Sequence, residues 1–161
     1  MGEIKYRRQI KPADAATIEE IVRASGFFSA AEIEIAAELA MEKLSSDEES
    51  SYEFLFVEEG DSVIGYTCWG LIPETMASYD LYWIAMLPQL RGRGLGKKLL
   101  AETEKFIRQA GGRRIYADTS SRRQYEPTRM FYEKCGYQRG AFLTDYYAPG
   151  DGKIIYLKIL E

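Results

Sequence analysis

A mixed α/β fold, one sheet with helices on both faces, is what this sequence predicts. Three observations carry that reading. Short apolar runs of period two lie at the start, middle and end of the chain, stretches of helical period lie between them, and Gly, Pro, Ser or Asp stands where one period gives way to the other. The first run, Ile4 to Ile10, reads as a strand, after which Pro12 and Asp14 announce a helix with the apolar stripe Ile18, Ile21 and Val22. Past a break containing Phe27 and Phe28, Ser29 is placed to cap a second helix with Ile33, Ala36, Ala37, Ala40 and Leu44 on one face. Ser45 to Ser51 is a polar loop, and Tyr52 to Glu58, Val63 to Leu71 and Asp80 to Met86 read as an antiparallel meander. From Gly94 to Ala110 the period turns helical through Leu95, Leu99, Thr103, Phe106 and Ala110, until Gly111 and Gly112 stop it. Ile115 to Thr119 is a short strand, Pro127 to Cys135 a helix opened by proline and closed by Gly136, and Tyr137 to Tyr147 and Lys153 to Leu160 are two last strands around the turn Pro149 to Gly152.

Composition bounds what such a fold is for. The 161 residues are 46% hydrophobic and 13% aromatic, enough for one core, and no repeat or linker divides them, so one domain over residues 1–161 is expected. No stretch approaches the roughly 18 apolar residues of a membrane helix, and the N-terminus lacks a signal-peptide apolar region. Cys68 and Cys135 lie far apart without a CxxC spacing and read as small buried or half-buried thiols, so a soluble protein in a reducing cytoplasm is expected. The absence of histidine removes every His-based triad and most zinc sites, and no metal is expected. A net charge of −4 argues against nucleic-acid binding. The positive charge is nonetheless gathered: Arg91, Arg93, Lys97 and Lys98 stand together, and Arg113, Arg114, Arg122, Arg123 and Arg129 follow, which suits a small anionic ligand.

That cluster coincides with a glycine-rich turn between a strand and the strongest helix, Arg91-Gly92-Arg93-Gly94-Leu95-Gly96-Lys97-Lys98. Unpaired N–H groups and the positive dipole end of a first helical turn bind phosphate oxygens, and glycines let them reach the main chain. Spacing decides among phosphate loops. A Walker A loop fails because Arg91 stands where its first glycine belongs and Lys98 where Ser or Thr belongs. A dinucleotide fingerprint fails because Lys97 takes the third glycine's place in a turn that follows a meander. R-x-x-G-x-G, on Arg91, Gly94 and Gly96, fits a pyrophosphate.

With WIAMLP (Trp83 to Pro88), RGRGLGKKLL (Arg91 to Leu100) and PTRMFYEKCGY (Pro127 to Tyr137) in that order, the whole chain resembles the GNAT superfamily of N-acetyltransferases. The resemblance implies a mixed, mostly antiparallel sheet of about seven strands whose central parallel strands splay apart. It implies acetyl-CoA as cosubstrate, with backbone groups of Ile84, Ala85 and Met86 receiving the pantetheine arm and Arg91, Gly92, Arg93, Gly94, Leu95, Gly96 and Lys97 wrapping the pyrophosphate. Tyr132 matches the tyrosine that protonates the departing thiolate in many members, a sensible role for a phenol with a reference pKa of about 10. Many members place Asn seven residues before that tyrosine, and here the residue is Tyr125.

The attacking amine must shed a proton. Asp80, at the start of the strand leading to Ile84, is the first candidate for the base, ahead of Glu74, Asp118 or a water chain. The Met86 N–H is a candidate for polarising the thioester carbonyl. The expected activity is direct transfer of acetyl to the primary amine of a small molecule or amino-acid derivative in a ternary complex. The acceptor should be shaped by Phe27 and Phe28, the connection after Leu71, and Tyr146 and Tyr147. A CoA-binding sensor without turnover is the alternative, and a homodimer is left open.

Overall fold

The computed structural model describes residues 2–46 and 50–161. The elements follow one another as β1 (Ile4–Arg7), α1 (Asp14–Ser25), α2 (Ala30–Ser45), β2 (Tyr52–Glu59), β3 (Ser62–Leu71), β4 (Ser78–Met86), α3 (Leu95–Gln109), β5 (Arg114–Ser120), α4 (Glu126–Lys134), β6 (Gln138–Ala148) and β7 (Asp151–Ile159). The strands hydrogen-bond in the order β1-β2-β3-β4-β5-β7-β6. β4 and β5 run parallel, Ser78–Asp80 lying opposite Arg114–Tyr116, while β1–β2, β2–β3, β5–β7 and β6–β7 are antiparallel. The mixed α/β architecture read from the periodicities is the one observed. Of the expected polar loop Ser45 to Ser51, residues 47–49 lie outside the described residues.

The chain divides into two compact units, one of residues up to Gly70 with Trp83–Thr103, the other of Leu71–Tyr82 with Glu104–Glu161. In the first, β2 and β3 turn Phe54, Phe56, Tyr66 and Cys68 toward Ile18, Ile21 and Val22 of α1 and Ile33, Ala36 and Ala40 of α2. Burying each large side chain there contributes about 1.5–3 kcal/mol. Successive strand residues face opposite sides, so Thr67 points away from that core, and its hydroxyl lies 2.7 Å from that of Thr103 on α3. Helices therefore cover both faces of β3.

Local chemistry sets the boundaries. β1 stops at Arg7 rather than Ile10. The Asp14 carboxylate accepts the Lys11 N–H (2.7 Å) and two bonds from the Arg7 guanidinium (2.7 and 3.0 Å), folding the intervening residues into a turn. Ser29 caps α2 as expected and does so in a full capping box, its hydroxyl accepting from Glu32 N–H (3.2 Å) and the Glu32 carboxylate accepting from Ser29 N–H (3.0 Å).

In the second unit, β5 and β7 pair from Arg114↔Ile159 to Ser120↔Lys153. α4 lays Tyr132 on this sheet, its ring 5.8 Å from that of Tyr156. The later half of α3 differs from expectation: Ile107 is buried and Ala110 exposed, and Glu104 is buried as well. Glu104 fits because its carboxylate accepts from the Tyr137 hydroxyl (2.9 Å) and from Lys158 Nζ (3.0 Å). β6 ends the strand order, is exposed over nearly all its length, and breaks register with β7 between Arg139 and Ala141 and again between Leu143 and Ala148.

Candidate active site

In the first unit the expected phosphate turn is built from the end of β4. Ala85 is buried in the core beside Tyr66, and Ile84 and Met86 are half-buried. A Cβ at Gly65 would collide with Met86 Sδ and come within 2.9 Å of the Ala85 carbonyl, so glycine is what lets β3 lie this close. The Leu87 N–H bonds to Ile64 O (2.9 Å), and Pro88–Leu90 then makes one 3-10 turn that delivers Arg91.

Gly92 and Gly94 have φ of 86° and 73°, a left-handed backbone that glycine adopts without a Cβ penalty. A Cβ built at either meets nothing within 4 Å, so the main chain is open to a ligand on that side. The first intrahelical bond of α3 runs from Lys98 N–H to Gly94 O (3.2 Å), leaving the Leu95, Gly96 and Lys97 N–H groups ahead of it. The first turn carries no acidic residue, and Lys97 and Lys98 are exposed in it. Leu95 is buried and anchors the turn. Arg91 lies over the Phe27 ring at 5.3 Å, and Arg93 pairs with Glu59 at 2.7 Å, holding that carboxyl below its ordinary range. The turn fits a polyanion: open main chain, unpaired donors, a positive helix end and cationic arms.

The expected catalytic residues lie in the second unit. Tyr132 on α4 is 5% exposed, its ring within 6 Å of Phe131, Tyr137 and Tyr156. Burial, reinforced by the negative potentials of Cys135 and Asp118, raises its phenol well above the usual value, so it keeps its proton. Asp80 is the third residue of β4 rather than its first, because pairing with β5 begins at Ser78. It is half-buried, and its carboxyl is raised by burial and then by Asp118, with Lys153 opposing. In the register Asp80 faces Tyr116, so Asp118 lies two residues farther on the same face, and Lys153 Nζ approaches Asp118 at 3.0 Å. Glu74 is exposed in the preceding turn.

The sequence profile of the acetyltransferase (GNAT) family matches residues 16–137. The chain belongs to that family. A crystal structure of a GNAT-family protein from Desulfovibrio desulfuricans superposes with a TM-score of 0.96 at 43% identity, over 98% of this chain and 99% of that one. The PaiA N-acetyltransferase of Thermoplasma acidophilum, in complex with coenzyme A, gives a TM-score of 0.76 at 22% identity over 98% and 99% of the two chains. An uncharacterized protein of Mycobacterium leprae is 33% identical over 98 residues, 60% of this chain, and this chain spans about a quarter, 26%, of its length.

In this GNAT-family chain the residues singled out from sequence fall into two groups. Ile84 to Met86 and the turn from Arg91 to Lys97 are contiguous in the first unit, and Asp80 and Tyr132 lie in the second. The Arg129 guanidinium donates to the carbonyls of Ser120 (2.8 Å) and Arg122 (2.9 Å), tying α4 to the end of β5. Tyr125 is the last residue of a 3-10 turn and precedes α4, where its backbone opens the helix. Two features escaped the sequence reading: Lys153 on the far side of a hairpin pairs with Asp118 and lies 4.4 Å from the Tyr146 ring, and the Phe28 ring lies 4.9 Å from that of Trp83. Both are long-range contacts with no local periodic signal.

Proposed function

We propose that the chain, working as a single catalytic domain, transfers acetyl from acetyl-CoA directly to the primary amine of a small molecule or amino-acid derivative, within a ternary complex. The carrying observation is the turn at Gly92 and Gly94, where left-handed glycines, open space and unpaired N–H groups precede a helix end free of acidic residues. Main-chain N–H groups of Leu95, Gly96 and Lys97 hold the pyrophosphate, Arg91 and Lys97 neutralise it, and the backbone of Ile84, Ala85 and Met86 receives the pantetheine arm. Asp80 accepts the amine proton, the amine nitrogen bonds to the acetyl carbon, the C–S bond breaks, and Tyr132 supplies a proton to the leaving sulfur. Cys68 and Cys135, neither of which forms a disulfide among the described residues, suit a reducing cytoplasm. Among the described residues no helix is long and apolar enough to cross a membrane. Thiol release measured over a panel of primary amines tests the reading. Release that rises with one amine class supports it, and tight CoA binding without release by any amine replaces it with the sensor role.

Asp80 gives a prediction with two signs. A carboxyl raised in the folded state holds its proton more tightly there than in the unfolded chain. Ionisation therefore costs stability as pH climbs from the ordinary carboxylate range through the raised value. Asp80→Asn should raise Tm at pH 7 and leave it unchanged at a pH below the ordinary carboxylate range. Turnover at pH 7 should fall about 10²-fold, the low end for a general base because Asp118 lies close by. A loss of both stability and activity at neutral pH would remove Asp80 from the proton path.

A further inference from the structure

We infer that Lys153 limits the acceptor to amines that carry one positive charge, by seating its own ammonium where a second ammonium would bind. This rests on the reading that Asp80 takes the amine proton. α4 covers one face of the β5–β7 pair, since Tyr132 packs on Tyr156 and Tyr156 lies opposite Ala117. Asp118 and Lys153 stand at the alternate positions and so belong to the other face, the one on which Asp80 lies. There Lys153 Nζ sits 3.0 Å from an Asp118 carboxylate oxygen and 4.4 Å from the centre of the Tyr146 ring. A carboxylate beside an aromatic face is the chemistry that recognises a primary ammonium. The aromatic wall depends on a strained residue. Asp145, left-handed at φ 54° without being glycine, accepts the Gly150 N–H (2.9 Å) within the second register break of β6. The next ring, Tyr146, then stands over Lys153, edge-on to Tyr147 at 5.0 Å.

Charge decides what fits this face. Burial disfavours the Lys153 ammonium, but its hydrogen bond to Asp118 and the attraction of that carboxylate outweigh the cost, so the group stays charged at neutral pH. Lys153 therefore cancels Asp118, and the charge left over is that of Asp80, which one ammonium meets. Asp118 lies one strand across and two residues along from Asp80, about 8 Å between Cα atoms. The two nitrogens of a short alkyl diamine are separated by a span of that order. With one nitrogen at Asp80, the distal ammonium arrives at a carboxylate and a ring that Lys153 already fills, and like charges at that range repel.

The test is thiol release from acetyl-CoA with pentylamine and with its diamine counterpart, cadaverine, read as the ratio of the two kcat/KM values. Wild type, Lys153→Gln, Lys153→Met, Lys153→Arg and Lys153→Gln combined with Asp118→Asn are compared. A change in the proton affinity of Asp80 affects both amines alike, so the ratio isolates the second charge. Wild type should favour pentylamine. The two neutral variants should move the ratio toward cadaverine by about tenfold or more, a shift that shrinks as salt is raised. Lys153→Arg should keep the wild-type preference, and adding Asp118→Asn to Lys153→Gln should remove the gain. A merely structural Lys153 would lower both amines together and leave the ratio where it was. An unmoved ratio in whichever neutral variant keeps wild-type dichroism, or a wild type that prefers cadaverine, overturns the inference and leaves acetyl transfer to an amine standing. Release with neither amine in any of these proteins overturns the reading of Asp80 as the base for a primary amine, and the inference with it.

Discussion

Gly94→Glu is expected to weaken CoA binding about 10³-fold while leaving a folded protein. The position has φ of 73° and open space where a Cβ would go. A side chain there meets no protein atom, and the cost to the fold is the left-handed strain of a non-glycine residue, about 1–2 kcal/mol. For the ligand the change is severe. The carboxylate stands over the Leu95, Gly96 and Lys97 donors and repels phosphate. Losing two charge-assisted hydrogen bonds at about 1.5–3 kcal/mol each amounts to roughly 10³-fold in affinity. Gly94→Asn separates the effects, since Asn tolerates this conformation and adds no charge. Calorimetry should rank wild type, Asn and Glu in falling CoA affinity with closely similar far-UV dichroism. A folded Glu variant with wild-type affinity would remove the turn from the binding site.

Tyr132→Phe should slow the acetyl-transfer step about 10²- to 10³-fold with CoA affinity nearly unchanged. The ring is held by Tyr137, Tyr156 and Phe131, and Phe keeps those contacts, so the stability cost is that of a single hydroxyl, about 1 kcal/mol. The chemical cost is larger, because a general acid contributes about 10²–10⁴-fold. A phenol raised by burial is a weak acid toward a thiolate that leaves tolerably without help, which places the effect toward the lower part of that range. Single-turnover transfer with a verified amine measures it. Equal rates in the two proteins would leave Tyr132 a packing residue, and a parallel collapse of CoA affinity would make its hydroxyl a binding group.

Legibility in the sequence followed the range of the forces involved. The elements could be read because capping, glycine stops and apolar period act within a few residues: Ser29 with Glu32, Gly111 after α3, and Gly136 after α4 lie where their chemistry puts them. The left-handed glycine turn before α3 could be read for the same reason. What could not be read depends on partners distant in sequence. Ile10 looks like strand until Asp14 gathers the Arg7 guanidinium, and Glu104 looks like surface until Tyr137 and Lys158 reach it. Asp80 reads as the start of its strand until the register with β5 makes it the third residue and sets it near Asp118.

The two register breaks in β6 bear on how the protein behaves in a crowded solution. An eleven-residue strand at the end of a sheet, with Phe142, Leu143, Tyr146 and Tyr147 all substantially exposed, is a template for aggregation. Bulges twist the strand and interrupt the even spacing of its outward N–H and C=O groups, so another chain finds no long ladder to extend. A Cβ at Gly140, within the first of them, would meet the tip of the Leu157 side chain, which would have to turn aside. The irregularity of this edge thus protects solubility: the exposed apolar side chains remain available for contact, but the backbone beneath them is a poor seed for cross-strand polymerisation.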